Sequence, residues 1–231
     1  MSLIVALQGK DGLVLAADSR GTIGDPRGLT AINDDQVKLF QLSKFCGTGI
    51  SGASEFAAKV IDELKRQRQG SKTQFADEIA EETRQLVRRL YDDWFEKFKL
   101  DDRPSMTFTV VGYQKDGTTM RPRTYLLVSR SDFAPHLFPT GNCLAGIPQY
   151  AVYLMHRFYD PAMTVTSLAR LAAYLISETA TQDPKVGGQI RVATITKNEG
   201  YKELLAAEIK EITQKNAAQN EKLKRSFLGR R

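Results

Sequence analysis

Cysteine and histidine are scarce in this chain, with two of each among 231 residues. Cys46 and Cys143 each fall inside an apolar segment, which suits reduced core residues better than a disulfide or a reactive thiol. His136 and His156 stand too far apart to suggest a metal site, and nothing calls for a cofactor. No apolar run reaches the roughly 18 residues that a membrane-spanning helix needs. No charged, then apolar, then small-residue leader opens the chain, so the sequence predicts a cytoplasmic protein with no membrane partner. There is no internal repeat, no low-complexity stretch and no basic stripe interleaved with aromatics, so no nucleic-acid partner is expected. The net charge of +6 owes much to Lys222, Lys224, Arg225, Arg230 and Arg231, which read as a solvated tail.

What is present is ordinary for a globular protein: 42% apolar and 26% charged residues, in a chain long enough to bury a sizeable core. The expectation is one domain over residues 1–231, with 215–231 a polar, basic, helical C-terminal tail.

The stretch from Ser2 to Asp18 places a hydroxyl residue at the extreme N-terminus on a strand. Leu3 to Gln8 is apolar, Gly9-Lys10-Asp11-Gly12 is turn chemistry, and Leu13 to Ala17 is a second apolar run, so a largely buried hairpin is predicted. If Met1 is removed, Ser2 carries both a hydroxyl and an α-amine. With a reference pKa of about 7.7 to 8.0, that amine is partly unprotonated at neutral pH and can accept the hydroxyl proton. The bland alternative is that many chains simply begin Met-Ser.

Further on, Ser19 to Asp35 reads as a Gly, Pro and Asp-rich loop, and Val37 to Gln41 as a strand with Lys38 in its middle. Phe45 to Ser51 is another strand. A helix opens at Ser51-Gly52-Ala53-Ser54 with Phe56, Val60, Ile61 and Leu64 on one stripe. Thr73 is the predicted cap of a second helix running past Trp94 to Phe98, and Asp101 to Pro104 ends it. Met106 to Tyr113, Arg123 to Val128, His136 to Thr140 and Cys143 to Gly146 read as strands. Pro148 suits the first turn of a helix to Phe158. Thr164 or Thr166 starts the next, ending before Asp183-Pro184. A strand over Gln189 to Thr196 and a turn at Asn198-Glu199-Gly200 lead to a closing helix with Leu205, Ile209 and Ile212 facing inward. Pairs of helices segregated around hairpin strands predict an α+β fold, a four-layer α/β/β/α sandwich of two antiparallel sheets flanked by helices.

A lysine in a buried strand is costly unless it is paired. Lys38 beside Asp18 meets that condition, although a lysine on an edge strand reaching solvent fits the pattern as well. Taken alone, Asp18 suits a strand-end turn, Arg20 a surface partner, Gly52 a helix-start glycine and Asp183, before Pro184, a turn former.

Taken together, the N-terminal hydroxyl residue, the Lys10-Asp11-Gly12 turn, Asp18-Ser19-Arg20, Lys38-Leu39-Phe40-Gln41 and the strand, glycine and helix around Gly52 resemble the proteasome β-subunit class of N-terminal nucleophile hydrolases. The resemblance is strongest from Ser2 to Leu64. It returns at Gly146 and from Tyr159-Asp160-Pro161 through Asp183 to Gly187-Gly188. It implies that Ser2 is the nucleophile, a position usually held by threonine, and that Asp18 and Lys38 orient and activate it. It further implies that the Gly52 N–H forms the oxyanion hole, that Asp183 is a second acid near the N-terminus, with Gly187 beside it, and that Arg20 is a basic member of the network. Ile50, Ser54 and Ala58 fall near the first specificity pocket, which would favour apolar side chains. Two positions depart from the pattern: Ile147 and Val186 stand where the family has serines that help hold the α-amine.

The function so implied is peptide-bond hydrolysis inside a homo-oligomeric ring, acting on protein or peptide substrates, with any partner ATPase undefined. The alternatives are a catalytically silent structural subunit of a ring, and an amidohydrolase or transpeptidase with one specific substrate, for which the Ser19 to Asp35 stretch would be the selectivity element.

Overall fold

The hairpin forms as its turn chemistry directs: Leu3–Gln8 (β1) and Gly12–Ala17 (β2) pair antiparallel, and the Gly9 amide donates to the Gly12 carbonyl at 2.8 Å. The structure is a computed structural model and describes residues 2–25 and 28–228. Every residue of β2 is buried. The two strands read as continuous apolar runs because both faces of their sheet are covered. Ile4, Ala6, Leu13 and Leu15 face one cluster, while Leu3, Val5, Leu7, Val14 and Ala16 face another.

The stretch expected as a loop after Asp18 instead forms a hairpin of its own, Gly21–Asp25 (β3) and Gly28–Asn33 (β4), apart from both larger sheets. Leu39–Ser43 (β5) and Cys46–Ser51 (β6) follow, so Lys38 stands immediately before a strand and not in its middle. Ser54–Gln67 (α1) buries Phe56, Val60, Ile61 and Leu64, the stripe read from the sequence.

The second helix is Ala76–Trp94 (α2), shorter at both ends than expected. Thr73 does not cap it, because the helix starts later, with Phe75 at its N-cap; Thr73 belongs to the preceding turn, its carbonyl held by the Arg68 guanidinium at 2.6 Å and its amide by Ser71 Oγ at 3.2 Å. Thr107–Asp116 (β7) and Thr119–Val128 (β8) form a long hairpin, and His136–Leu137 (β9) is only two residues of the predicted strand.

Cys143–Gly146 (β10), Gln149–Phe158 (α3) and Val165–Gln182 (α4) come next. Thr164 caps α4, its hydroxyl accepting the Ser167 amide. Arg191–Thr196 (β11) is then followed by an unexpected short strand, Gly200–Glu203 (β12), before Ala206–Phe227 (α5). Leu205 is 69% exposed and precedes α5 instead of facing inward; its amide is taken by the Glu208 carboxylate at 2.7 Å.

One five-stranded sheet runs β10-β1-β2-β11-β12 and the other β5-β6-β7-β8-β9, with every pairing antiparallel. Helix α4 packs on β1, β2 and β11, while α2 packs on β7 and β8. Between the sheets, Ile4, Leu13 and Leu15 meet Leu39, Val111 and Tyr113. Gly49 of β6 lets Ile4 approach closely: a Cβ there would lie 2.5 Å from the Ile4 side chain. That contact brings the start of β1 against β6, and with it Ser2 toward the strand that ends at Ser51.

Candidate active site

Asp18 directly follows β2 and is 1% exposed, and four donors converge on its carboxylate. Oδ1 accepts the Leu3 amide at 3.0 Å and the Lys38 ammonium at 2.8 Å. Oδ2 accepts the amides of Arg20 and Gly187, each at 3.1 Å. Such a set satisfies the four lone-pair directions of a carboxylate. Lys38 is equally removed from solvent and spends a second N–H on the Arg20 carbonyl at 2.6 Å. Burial pulls the Lys38 ammonium below its ordinary pKa, while the Asp18 charge and hydrogen bond oppose that fall.

Ser2 is 4% exposed, so the start of the described chain is packed inside the fold. Its carbonyl accepts the Ile147 amide at 2.9 Å. The neighbouring Gly146 has φ +88°, and a Cβ there would fall 1.9 Å from the Ser2 oxygen. Ser51 Oγ lies 3.0 Å from that same point, so a second, buried hydroxyl stands close to Ser2, a neighbour the sequence did not announce.

A cavity of about 50 Å³ is lined jointly by Ser2, Lys38, Gly52, Ile50, Ser54 and Ala58, with Gln36, Val37, Phe40 and Ala57 completing its walls. All three residues expected at a specificity pocket therefore share a wall with the expected nucleophile. A larger opening of about 490 Å³ adjoins it through Ser2, Gly52 and Ser54 and is bounded by the β3 to β4 hairpin and by Phe56, Trp94 and Phe95. Gly52 has φ +128°, and a Cβ on it would lie 2.5 Å from the Ser105 carbonyl oxygen, so backbone conformation and space both demand glycine.

Arg20 reaches the group through its backbone. Its guanidinium turns away to Asp34, donating from Nε at 2.7 Å and Nη2 at 2.9 Å, and to the Pro184 carbonyl at 3.0 Å. That bidentate hydrogen bond holds the Asp34 carboxyl below its usual range and lifts the Arg20 pKa further. Asp34 was not legible as a site residue, since Asn33-Asp34-Asp35 carries no signal beyond turn chemistry.

Asp183 lies after the end of α4, half-buried, with Oδ1 on the Lys185 amide at 2.8 Å. It lines neither cavity at Ser2. The segment it opens nonetheless delivers the Gly187 amide to Asp18 and the Gly187 carbonyl to the Ser19 amide, at 3.0 Å. Ile147 and Val186 are both buried in the apolar cluster under α4, which accounts for their side chains as packing. Met1, Arg230 and Arg231, which entered the sequence reading, lie outside the described residues. Among the described residues no cluster of His, Cys, Asp and Glu is suited to a metal ion, and no helix is long and apolar enough to cross a membrane.

A family model described as proteasome subunit matches residues 2–195. Over 208 residues the chain is 26% identical to a proteasome subunit beta of Methanosphaera stadtmanae, covering 87% of this chain and 89% of that protein. Over 219 residues it is 25% identical to the proteasome subunit beta of Methanopyrus kandleri, with 90% and 93% covered. Among solved structures, Anbu (ancestral beta-subunit) from Yersinia bercovieri superposes with a TM-score of 0.71 over 98% of this chain and 96% of that one, at 17% identity. At that identity the match speaks for the fold.

Proposed function

The chain belongs to the proteasome subunit family, and from that premise we propose that it is a ring-forming, cytoplasmic peptidase in which Ser2 is the nucleophile. The reading takes residues 1–231 as one domain of α/β/β/α layering, the two sheets stacked between helical layers. The observation that carries it is that Ser2 is buried and lines one cavity with Lys38, whose ammonium is locked onto Asp18.

Removal of Met1 gives Ser2 a free α-amine. That amine takes the hydroxyl proton as Oγ attacks a peptide carbonyl, so a C–O bond forms and the carbonyl oxygen becomes an oxyanion. The Gly52 amide is the proposed donor to that oxyanion, an effect of about 10²- to 10³-fold in kcat where one such donor has been removed from a protease. The C–N bond then breaks, the proton passes from the α-amine to the leaving amine, and water hydrolyses the ester in a second, equivalent round. Lys38, kept cationic by Asp18, favours the developing alkoxide electrostatically; Asp18 fixes Lys38 and, through the Leu3 amide, the residue after Ser2. Arg20 contributes its amide and carbonyl to this frame. Asp183 acts at one remove, by setting the turn that presents Gly187.

Turnover of fluorogenic peptides by wild type and by Ser2→Ala tests this: loss of turnover in the variant supports the nucleophile, and equal turnover sinks it. A silent ring subunit is the second reading, favoured by the buried Ile147 and Val186, which leave the α-amine without two hydroxyls. Intact-mass measurement separates the two, because a mass that retains Met1 leaves no free amine at Ser2.

A further inference from the structure

The cavity beside Ser2 is small, and what makes it small is identifiable. Its volume of about 50 Å³ is roughly a third of the ~150 Å³ apolar cavity known to admit benzene. The residue whose carbonyl is attacked must place its carbon at Ser2 and its oxygen at Gly52, so its side chain enters the space these two residues share with Ile50 and Ala58. Phe40 lines that same space. Phe40 sits on β5 opposite Thr48, packs against the apolar cluster under α1, and carries the Lys65 ammonium 5.5 Å from its ring centroid. Ile50, 4% exposed, and Ala57, 8% exposed, are fixed walls within the same cluster, whereas Val37 on the same cavity is 52% exposed, which leaves Phe40 as the largest side chain of the lining.

We propose that this peptidase cuts after small residues, glycine, alanine and at most valine, and that Phe40 is the residue that sets the limit. The proposal rests on Ser2 being the nucleophile. It confines the size restriction to one substrate position, because the adjoining opening of about 490 Å³, walled by Phe56, Trp94 and Phe95, leaves room for bulky and aromatic side chains elsewhere on the same substrate.

The test is product analysis by mass spectrometry on a set of peptides that differ only at the residue bearing the scissile carbonyl, from glycine through alanine, valine and leucine to phenylalanine. Wild type is expected to cut after valine faster than after leucine by about 10- to 200-fold, the range for one extra methylene in an apolar pocket. Phe40→Ala should bring leucine and phenylalanine into the profile. Ala58→Val, at an exposed position on α1, should narrow the profile toward glycine without touching the core. Should Phe40→Ala fail to fold, Phe40→Leu, which is expected to admit leucine, and Ala58→Val carry the test. Wild-type cleavage after phenylalanine as fast as after alanine would overturn the proposal while leaving the nucleophile intact, as would profiles that neither pocket position changes. Cleavage that persists in Ser2→Ala would remove the premise itself and the proposal with it.

Discussion

Lys38 and Asp18 form an ion pair with a 2.8 Å N–O contact, and their side chains are 6% and 0% exposed. Neither charge has water to fall back on, so each depends on the other. Breaking a buried pair by removing one partner typically costs about 3–5 kcal/mol, whereas replacing both by apolar or neutral groups of similar volume is far cheaper.

Asp18→Asn should therefore destabilise by about 3–5 kcal/mol, since it leaves the ammonium buried and uncompensated. Combining it with Lys38→Met should recover, in urea unfolding, only the part of that loss due to the unpaired ammonium, since the asparagine NH2 would still face a backbone N–H, and should leave peptide turnover abolished. A double variant as active as wild type would show that the pair is only architectural.

The Lys38 titration makes a separate prediction for stability against pH. Its folded pKa lies below the ordinary 10.5 because of burial. Between the folded and unfolded values the unfolded chain binds more protons, so stability rises with pH across that window. Below the window the cost of keeping the ammonium buried is present in full, and above 10.5 it is gone. Unfolding free energies from pH 8 to 10.5 should show wild type gaining on Lys38→Met as pH rises; a flat or falling difference contradicts this assignment.

Gly146→Ala probes Ser2 without altering any polar group. The φ of +88° disfavours any side chain, and the new methyl would meet the Ser2 oxygen at 1.9 Å. A strain of about 1–3 kcal/mol is expected from the backbone conformation, with turnover falling by orders of magnitude because Ser2 is displaced. Turnover equal to wild type would mean that the position of Ser2 is irrelevant to function.

The parts of this site that the sequence disclosed are those where a polar residue interrupts an apolar pattern. Asp18 directly follows a fully buried strand and Lys38 directly precedes β5, and both are buried, so each needed a partner, and they are each other's. The Gly52 position was legible because a strand runs directly into a helix there. What was hidden lacked a buried face to impose a pattern. Among the described residues the β3 to β4 hairpin forms a sheet of its own two strands and exposes Ile23 and Ile32, so its glycines read as loop. The edge strand β12, Gly-Tyr-Lys-Glu, alternates too briefly to stand out. Asp34 and Ser51 matter by proximity across the fold, which no local spacing encodes.

The Asp18 carboxylate gathers amides from Leu3, Arg20 and Gly187, and the last of these lies 169 positions along the chain from the acid it meets. Closing so long a loop is entropically slow and is repaid only when the flanking strands have already paired. A chain still emerging from the ribosome therefore holds an unfinished centre: Ser2 and Lys38 are synthesised before the amide that completes their anchor, which follows Asp18 by 169 positions. Whatever this centre does, it is withheld until Gly187 has been made and its turn has closed onto Asp18.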